Sequence, residues 1–297
     1  MWKIMNIEDF AVKNKSRTGQ VFYIDDQSAQ GGIPLLKFRL LDQAGIVEHG
    51  FTTREGGVSK DEFAALNLSY TRGDDKAAVD ENFRRTAVSL HADISDFVLT
   101  DQTHTTNVRQ VTRQDCGKGI LRERDYQDVD GLITDEPGVV LAAFFADCVP
   151  LYFVDPVRRA IGLSHSGWRG TVARMGLATI QAMKAAYASR PEDLFCAIGP
   201  SICQACYEVS EDVAVRFIEE FPDAGKELCY PTSNGKYQLN LWRANELVLI
   251  QAGVRPERLV VTDICTCCNS KLLFSHRASH GKRGNLGAFL KLLPKMS

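Results

Sequence analysis

No other stretch of this chain restricts its fold as much as residues 139–171, VVLAAFFADCVPLYFVDPVRRAIGLSHSGWRGT. Residues 139–146 are its longest unbroken apolar run, and two further apolar runs follow, after Asp147-Cys148 and after the DPVRR turn. Apolar runs of this length, bounded by turn residues, read as buried strands. The first is too short to span a bilayer, and Asp147 and Pro150 end it at once. The polar pair Asp147-Cys148 thus separates two buried strands, and His165 stands at the end of a third. A thiol and an imidazole emerging where buried strands end are what a metal or nucleophile site requires, because both need a dry, rigid support. Each also has an ordinary reading: Cys148 as a small hydrophobe, His165 in a structural hydrogen bond.

Upstream, VFYI at residues 21–24 reads as a strand before an Asp-Asp turn, and LLKFRLL begins a second apolar run at Leu35. Residues 49–59, HGFTTREGGVS, form a Gly-rich loop in which Arg54 offers a planar fork to phosphate or carboxylate, or else is a solvated loop arginine. From Asp75 the spacing is helical, with Val79, Phe83, Ala87 and Leu90 on one face that should pack on a sheet. FVLTDQTHTTNVRQV reads as strand, turn, strand and carries His104 among small polar residues. DVDGLITDEPGVVLAAFF reads as a hairpin entering the core, with Asp128 and Asp130 as turn residues.

Thr171 is expected to cap a helix over VARMGLATIQAMKAAYA, ending before Pro191, with the Gly167-Trp168-Arg169-Gly170 turn at its positive, anion-favouring end. Cys203 and Cys206 form a Cys-x-x-Cys that suggests zinc or a dithiol. Only Cys265, Cys267 and Cys268 remain to complete such a site, and CTCC does not read as the knuckle of a structural zinc module. Further on come a helix at 212–220, a helix over LNLWRANELVLIQAGV capped by Gly253, a strand LVVTDI, and a basic loop FSHRASHGKRGNLGAFL entering a final strand. No repeat or linker divides the chain, so residues 1–297 read as a single domain, with residues 1–48 a variable N-terminal leader and strands.

The totals exclude several classes. Hydrophobic residues at 44% and charged residues at 24% are ordinary for a soluble globular chain. A formal charge of -2 from 35 basic and 37 acidic residues gives no footprint for nucleic acid or an anionic membrane. The opening MWKIMNIEDFAVKN lacks the apolar core and cleavage site of a secretory signal. Nine irregularly spaced cysteines argue against a secreted disulfide framework. The expectation is a cytoplasmic protein with reduced thiols, a monomer or homodimer that binds neither nucleic acid nor membrane.

Together, His104, Cys148 and His165 are three borderline or soft ligands suited to zinc, and three protein ligands leave a fourth position for water, the catalytic rather than the structural arrangement. Zinc there would lower the pKa of water toward neutrality. Asp147, beside a ligand, is placed to orient it or to accept a proton. The separations along the chain match no local metal signature, so spacing alone does not establish the site.

The segments HGFTTREGGVS with NLSYTRGDD, DQTHTTNV, DVDGLITD, ADCVPLYFVDPVRRAIGLSHSGWRGT, IGPSICQACYEV and FSHRASHGKRGNLGAFL resemble, in this order, the laccase-domain proteins, first named multicopper polyphenol oxidases and now largely described as purine nucleoside phosphorylases. The resemblance runs from about His49 to the C-terminus, and ADCVP with HSGWRGT at this separation is its most specific part. It implies a Zn2+ site built from His104, Cys148 and His165. It also implies phosphorolysis of adenosine, inosine, guanosine and S-methyl-5'-thioadenosine to base plus ribose 1-phosphate, and hydrolytic deamination of adenosine to inosine. Attack on C6 of adenine by zinc-activated water would parallel other zinc deaminases. Phosphorolysis needs a phosphate anchor and help for the leaving purine, and the candidates are Arg54, Arg169 and Arg277. The substrates expected are therefore purine nucleosides and phosphate.

Two positions depart from the family pattern. Ala205-Cys206-Tyr207-Glu208 replaces the common Cys-Cys-Tyr-Glu, and Arg283-Gly284-Asn285 stands where Thr-Gly-Arg is usual, so that Arg283 would have to substitute for that arginine. The family's older name keeps a copper-dependent polyphenol oxidase as an alternative, with Cu2+ at the same three ligands. Multicopper oxidases need many histidines in His-x-His pairs, whereas this chain has six histidines and no such pair. An amide hydrolase that edits peptidoglycan precursors is a further alternative from the family, and a structural zinc protein with a closed four-ligand site is a non-enzymatic one. The fold expected is α+β, with mixed β-sheets covered by helices and the site at strand ends, and the resemblance implies that these layers form a sandwich.

Overall fold

In the computed structural model, which describes residues 6–14 and 21–295, the three central apolar runs are strands of two facing sheets. Residues 1–5, where the leader and signal readings begin, lie outside the described residues, as do 15–20. The chain opens with β1 (Phe22–Asp26), β2 (Pro34–Phe38) and β3 (Val47–Thr52). Helix α1 (Lys76–Ser89) is followed by β4 (Phe97–Leu99), β5 (Val108–Gln110) and β6 (Gly131–Thr134). Residues 139–166 supply β7 (Val140–Phe145), β8 (Val149–Asp155) and β9 (Ala160–Ser166). A short helix α2 (Trp168–Val172) and α3 (Met175–Tyr187) lead to β10 (Phe195–Ile198) and β11 (Glu208–Val209). Then come α4 (Glu211–Glu220), β12 (Cys229–Pro231), β13 (Tyr237–Leu239), α5 (Leu241–Gln251), β14 (Leu259–Val261) and β15 (Leu286–Leu292).

One six-stranded sheet runs β1-β2-β3-β15-β7-β4, the other β14-β10-β8-β9-β6-β5, and β11-β13-β12 form a small third sheet. Both large sheets are mixed, since β4 is parallel to β7, β5 to β6 and β10 to β14 while the other neighbours are antiparallel. The α+β layered architecture read from the sequence is the one observed.

Strand alternation explains why the central runs contain almost no polar residue. Leu141, Ala143 and Phe145 of β7 point into the core between the sheets, where they meet Tyr152 and Val154 of β8 and Ile161 and Leu163 of β9. Their alternates go outward: Val140 and Ala142 pack with Val79, Phe83 and Ala87 of α1. Leu151 and Phe153 pack with Ile180 and Met183 of α3 and Val248 of α5. Both faces of each strand are therefore covered, the condition under which a strand reads as a continuous apolar run. Helix α1 begins where the Asp75 side chain accepts from the Ala77 N–H, and its buried Val79, Phe83, Ala87 and the following Leu90 are the face expected from their spacing.

Three expectations fail. Asp25 and Asp26 are not a turn but the end of β1, paired with Leu35 and Pro34. β6 and β7 are not a hairpin: β6 pairs with β5 and β9 in the second sheet, β7 with β4 and β15 in the first, so the Pro137-Gly138 turn carries the chain between layers. Two apolar strands joined by a short turn gain more when each is sandwiched between covered faces than when they pair locally. Thr171 does not cap a long helix either. It lies inside α2, its hydroxyl bonds the Gly167 carbonyl, and Arg174, in the left-handed region at φ 61°, starts α3 in a new direction. Thr171 is instead buried in a hydroxyl–amide cluster with Ser166 and Asn245. Among the described residues no helix is long and apolar enough to cross a membrane.

Candidate metal centre

Parity along β9 places the first candidate. Ile161 and Leu163 point between the sheets, so His165 does too, at the end of the strand where the layers part. Its ring lies 5.5 Å from that of Phe145. The β8–β9 register pairs Val149 with Ser166, which brings Cys148, one residue before, alongside Gly167. His104 arrives from the loop between β4 and β5 with φ at 68°. The ligand atoms of His104, Cys148 and His165 all lie within 4.8 Å of one another, with Cys148 Sγ 4.0 Å from His104 Nε2. The sequence thus named three residues that the fold brings to one point.

Asp130 holds that point together. Its carboxylate is fully buried and accepts from the backbone N–H of Thr103, His104 and Thr105 and from the Thr105 hydroxyl. Its Oδ1 is also 2.7 Å from His165 Nδ1, which leaves Nε2 of that ring for a metal. The register pairs Gly131 with Ser164 and so sets Asp130 beside His165. Sequence reasoning took Asp130 for a turn residue; the signal it missed was a carboxylate one position before a strand that neighbours the histidine strand.

The charges of the site reinforce one another. Burial opposes ionisation of Cys148, but the His165 charge and hydrogen bonds with His104 and His165 outweigh it, and the thiol is lowered to about 6. Burial likewise disfavours the His165 cation, but the Cys148 thiolate and Asp130 raise it to about 9. Asp130 is held below the usual carboxylate range although burial works against it, because His165 and the backbone donors stabilise its charge.

Asp147 does not join the trio. It occupies the turn before Cys148 at φ 90°, and its carboxylate accepts from the Thr266 hydroxyl at 2.6 Å and the Arg277 N–H at 2.7 Å while its carbonyl accepts from the Ile202 N–H. It fixes the turn that presents Cys148. The three candidate substrate arginines are also elsewhere. Arg54 donates to the carbonyls of Ala64 and Ser270 and lies over Phe274. Arg169 is exposed on α2, over Trp168. Arg277 donates to the carbonyls of Cys206 and Glu208. Each is anchored to backbone or ring, and none lines the cavity that the trio faces.

That cavity, of 310 Å³, is lined instead by Arg72, Arg124 and Arg283, with Leu68, Tyr70 and Phe144 on its apolar side. Arg124 pairs with Asp101. Arg72 and Arg283 have no salt bridge among the described residues. Arg283 is only 8% exposed, its Nε has no partner, and its guanidinium contacts the Gly284 carbonyl and the Asn285 side chain. Burial, then repulsion from Arg72, lowers it to about 10. Two cations that face one cavity and have no salt bridge among the described residues repel each other, a repulsion that an anion would relieve. Arg72 lies in the TRGDD segment, where nothing in the spacing sets it apart from a solvated turn arginine.

Comparison with known proteins identifies the family and the fold. Purine nucleoside phosphorylase YlmD of Bacillus subtilis (strain 168) is 38% identical over 245 residues, covering 81% of this chain and 87% of that protein. Adenosine deaminase RL5, from an unknown prokaryotic organism, is 32% identical over 247 residues, covering 82% and 94%. The crystal structure of YlmD from Geobacillus stearothermophilus superposes with a TM-score of 0.80 at 33% identity, over 96% of this chain and all of that one. The family model described as multi-copper polyphenol oxidoreductase laccase matches residues 48–293, and this chain, with its two facing mixed sheets and its His-Cys-His centre, belongs to that family.

Proposed function

We propose that this protein is a zinc-dependent purine nucleoside enzyme. It adds phosphate to C1' of adenosine, inosine, guanosine and S-methyl-5'-thioadenosine as the bond to the purine breaks, and it deaminates adenosine to inosine with water. The names of its relatives support the substrate class. The observation that carries the reading is that the His104, Cys148 and His165 donors open into one cavity with Arg72 and Arg283, which have no salt bridge among the described residues.

Two imidazole nitrogens and a thiolate within 4.8 Å of one another fit zinc, whose bonds to nitrogen and sulfur are about 2.0–2.3 Å. When bound, the ion supplies Lewis-acid polarisation and acidifies water. The chain does the rest. Asp130 orients His165 and keeps its Nδ1 engaged. Arg72 and Arg283, rather than Arg54, Arg169 and Arg277, take the phosphate, whose charge relieves their repulsion and satisfies the buried Nε of Arg283. Leu68, Tyr70 and Phe144 give the purine an apolar wall.

Elemental analysis combined with chromatography of adenosine reactions tests this. Adenine and ribose 1-phosphate should form only with phosphate, and inosine with or without it. Cys148→Ala should lose the metal of this centre and both activities while its circular dichroism is unchanged; full metal and full turnover would sink the assignment. Arg283→Met should raise the KM for phosphate about tenfold or more, the worth of one charge-assisted bond, and spare deamination. An equal loss of both reactions would place the phosphate elsewhere. Copper in the centre together with phenol oxidation would favour the oxidoreductase that the family description names.

A further inference from the structure

A second set of metal donors lies away from the cavity. Cys203 and Cys206 follow β10, and Cys265 and Cys268 follow β14. Each pair is a Cys-x-x-Cys; Cys267 hides the second pair inside CTCC, which is why the sequence reading set it aside. The fold brings the pairs together because β10 and β14 run parallel, with Ile198 opposite Val261, and a parallel bridge continues the pairing from Ser201 to Cys265. All four Sγ atoms lie within 4.8 Å of one another, and those of Cys206 and Cys268 are 3.5 Å apart.

These separations fit one tetrahedral ion rather than a cluster. Zinc–sulfur bonds of about 2.3 Å in a tetrahedron put neighbouring sulfurs about 3.8 Å apart. Thiolates of an iron–sulfur cluster bind several irons and stand further apart. The cluster also has the supports a charged thiolate set needs. The backbone N–H groups of Cys203 and Cys268 donate to Cys265 Sγ at 3.3 and 3.4 Å. Lys13 places its ammonium beside Cys203 and Cys268, from a segment tied to the same turn by the Val12–Ile264 bridge and by Asn269 with Ala11. A divalent ion on four thiolates carries two net negative charges, which Lys13 partly offsets.

We propose that Cys203, Cys206, Cys265 and Cys268 bind one zinc ion as a structural tetrathiolate site, separate from the His104–Cys148–His165 centre. Binding displaces the four thiol protons to solvent, with no change of oxidation state. The site ties together two segments distant in sequence, with Lys13 of a third beside them, and the same loops grip the turn that presents Cys148, through Ile202 N–H to the Asp147 carbonyl, the Thr266 hydroxyl to the Asp147 carboxylate, and Arg277, whose N–H donates to the Asp147 carboxylate and whose side chain donates to the Cys206 carbonyl.

The test is a metal count on the full chain purified with a thiol reductant, by native mass spectrometry and elemental analysis. Two zinc ions per chain are expected, one in Cys148→Ala and one in Cys268→Ser, whose exposed position spares the core; Cys267→Ser should keep both. Cobalt loaded into Cys148→Ala should show the intense visible absorption of a tetrahedral tetrathiolate, lost in the Cys148→Ala, Cys268→Ser double variant. A metal-free Cys148→Ala protein whose four thiols all react freely would overturn the proposal, and so would a Cys206–Cys268 disulfide in the wild-type chain. A single zinc that is lost in Cys268→Ser and kept in Cys148→Ala would leave this site standing and remove the other.

Discussion

At the scale of the residue, the centre is a set of mutually stabilised charges. Removing metal should leave Cys148 as a thiolate against the His165 cation, with Asp130 behind the imidazole. Cys148 has its folded pKa lowered to about 6, so its contribution to the metal-free fold is fully present above its ordinary value near 9 and is lost as pH falls through about 6. His165 has its pKa raised to about 9, so its contribution is present below 6.5 and is lost as pH rises through about 9. The pair coexists between those limits. In chelator-treated protein, iodoacetamide should therefore alkylate Cys148 with a midpoint near pH 6, read by peptide mass spectrometry; a midpoint near 9 would mean that His165 is not charged beside it. The sequence singled out His104, Cys148 and His165 as candidate ligands by their residue type, and the family resemblance, not their spacing, joined them into one site. The sequence concealed Asp130, since a carboxylate in DVDG resembles a solvated turn residue until burial is known, and it named Arg283 only as a substitute for the family's usual arginine, without its burial.

At the scale of the element, the junction of β9 and α2 decides how closely the ligands approach. Gly167 has φ at -70°, which any residue accepts, so only space requires glycine there. A Cβ at that position would lie 2.8 Å from His104 Cδ2 and 3.1 Å from Cys148 Sγ. Gly167→Ala should push the His104 loop outward and weaken metal binding by about tenfold or more, the usual effect of disturbing the surroundings of a metal site, with little change in Tm. Calorimetric metal titration checks it, and an unchanged affinity would show that the loop yields without loss. The helix period in α1 and the buried runs of β7, β8 and β9 were legible because each element carries its own burial pattern. The break between α2 and α3 was not, since residues 168–187 hold no proline and the turn at Arg174 follows from packing on the second sheet and α5.

At the scale of the whole molecule, the site depends on the two large sheets keeping their spacing. Tyr152 of β8 crosses the interlayer core, packs against Phe38 at 5.0 Å, and donates its hydroxyl to the Gly50 carbonyl of β3 at 3.0 Å. Both partners are inside the protein, so Tyr152→Phe leaves a carbonyl without its donor and should cost about 1–3 kcal/mol in urea unfolding with the slope unchanged. An undiminished midpoint would mean that water replaces the hydroxyl. The same spacing sets the cavity, whose walls come from segments between β3 and α1, at and after β4, between β5 and β6, at the end of β7 and the turn that follows it, at the end of β9 and before β15. No local pattern in the chain could have predicted that these segments meet.

By itself the sequence determined the apolar strands and amphipathic helices of the α+β class and singled out His104, Cys148 and His165 as candidate ligands, while the layered sandwich and the union of those three residues in one site came from the resemblance to a family. The first group follows from side-chain polarity, periodicity and ligand chemistry, all properties of short stretches. Only the tertiary structure decided that β6 and β7 belong to different sheets, that Asp130 stands behind His165, that Arg72 and Arg283 face the cavity while Arg54, Arg169 and Arg277 do not, and that two Cys-x-x-Cys pairs converge. The physical reason is the same in each case. Strand order and register are settled by the burial of both faces across the whole assembly, and residues far apart in sequence meet as its consequence.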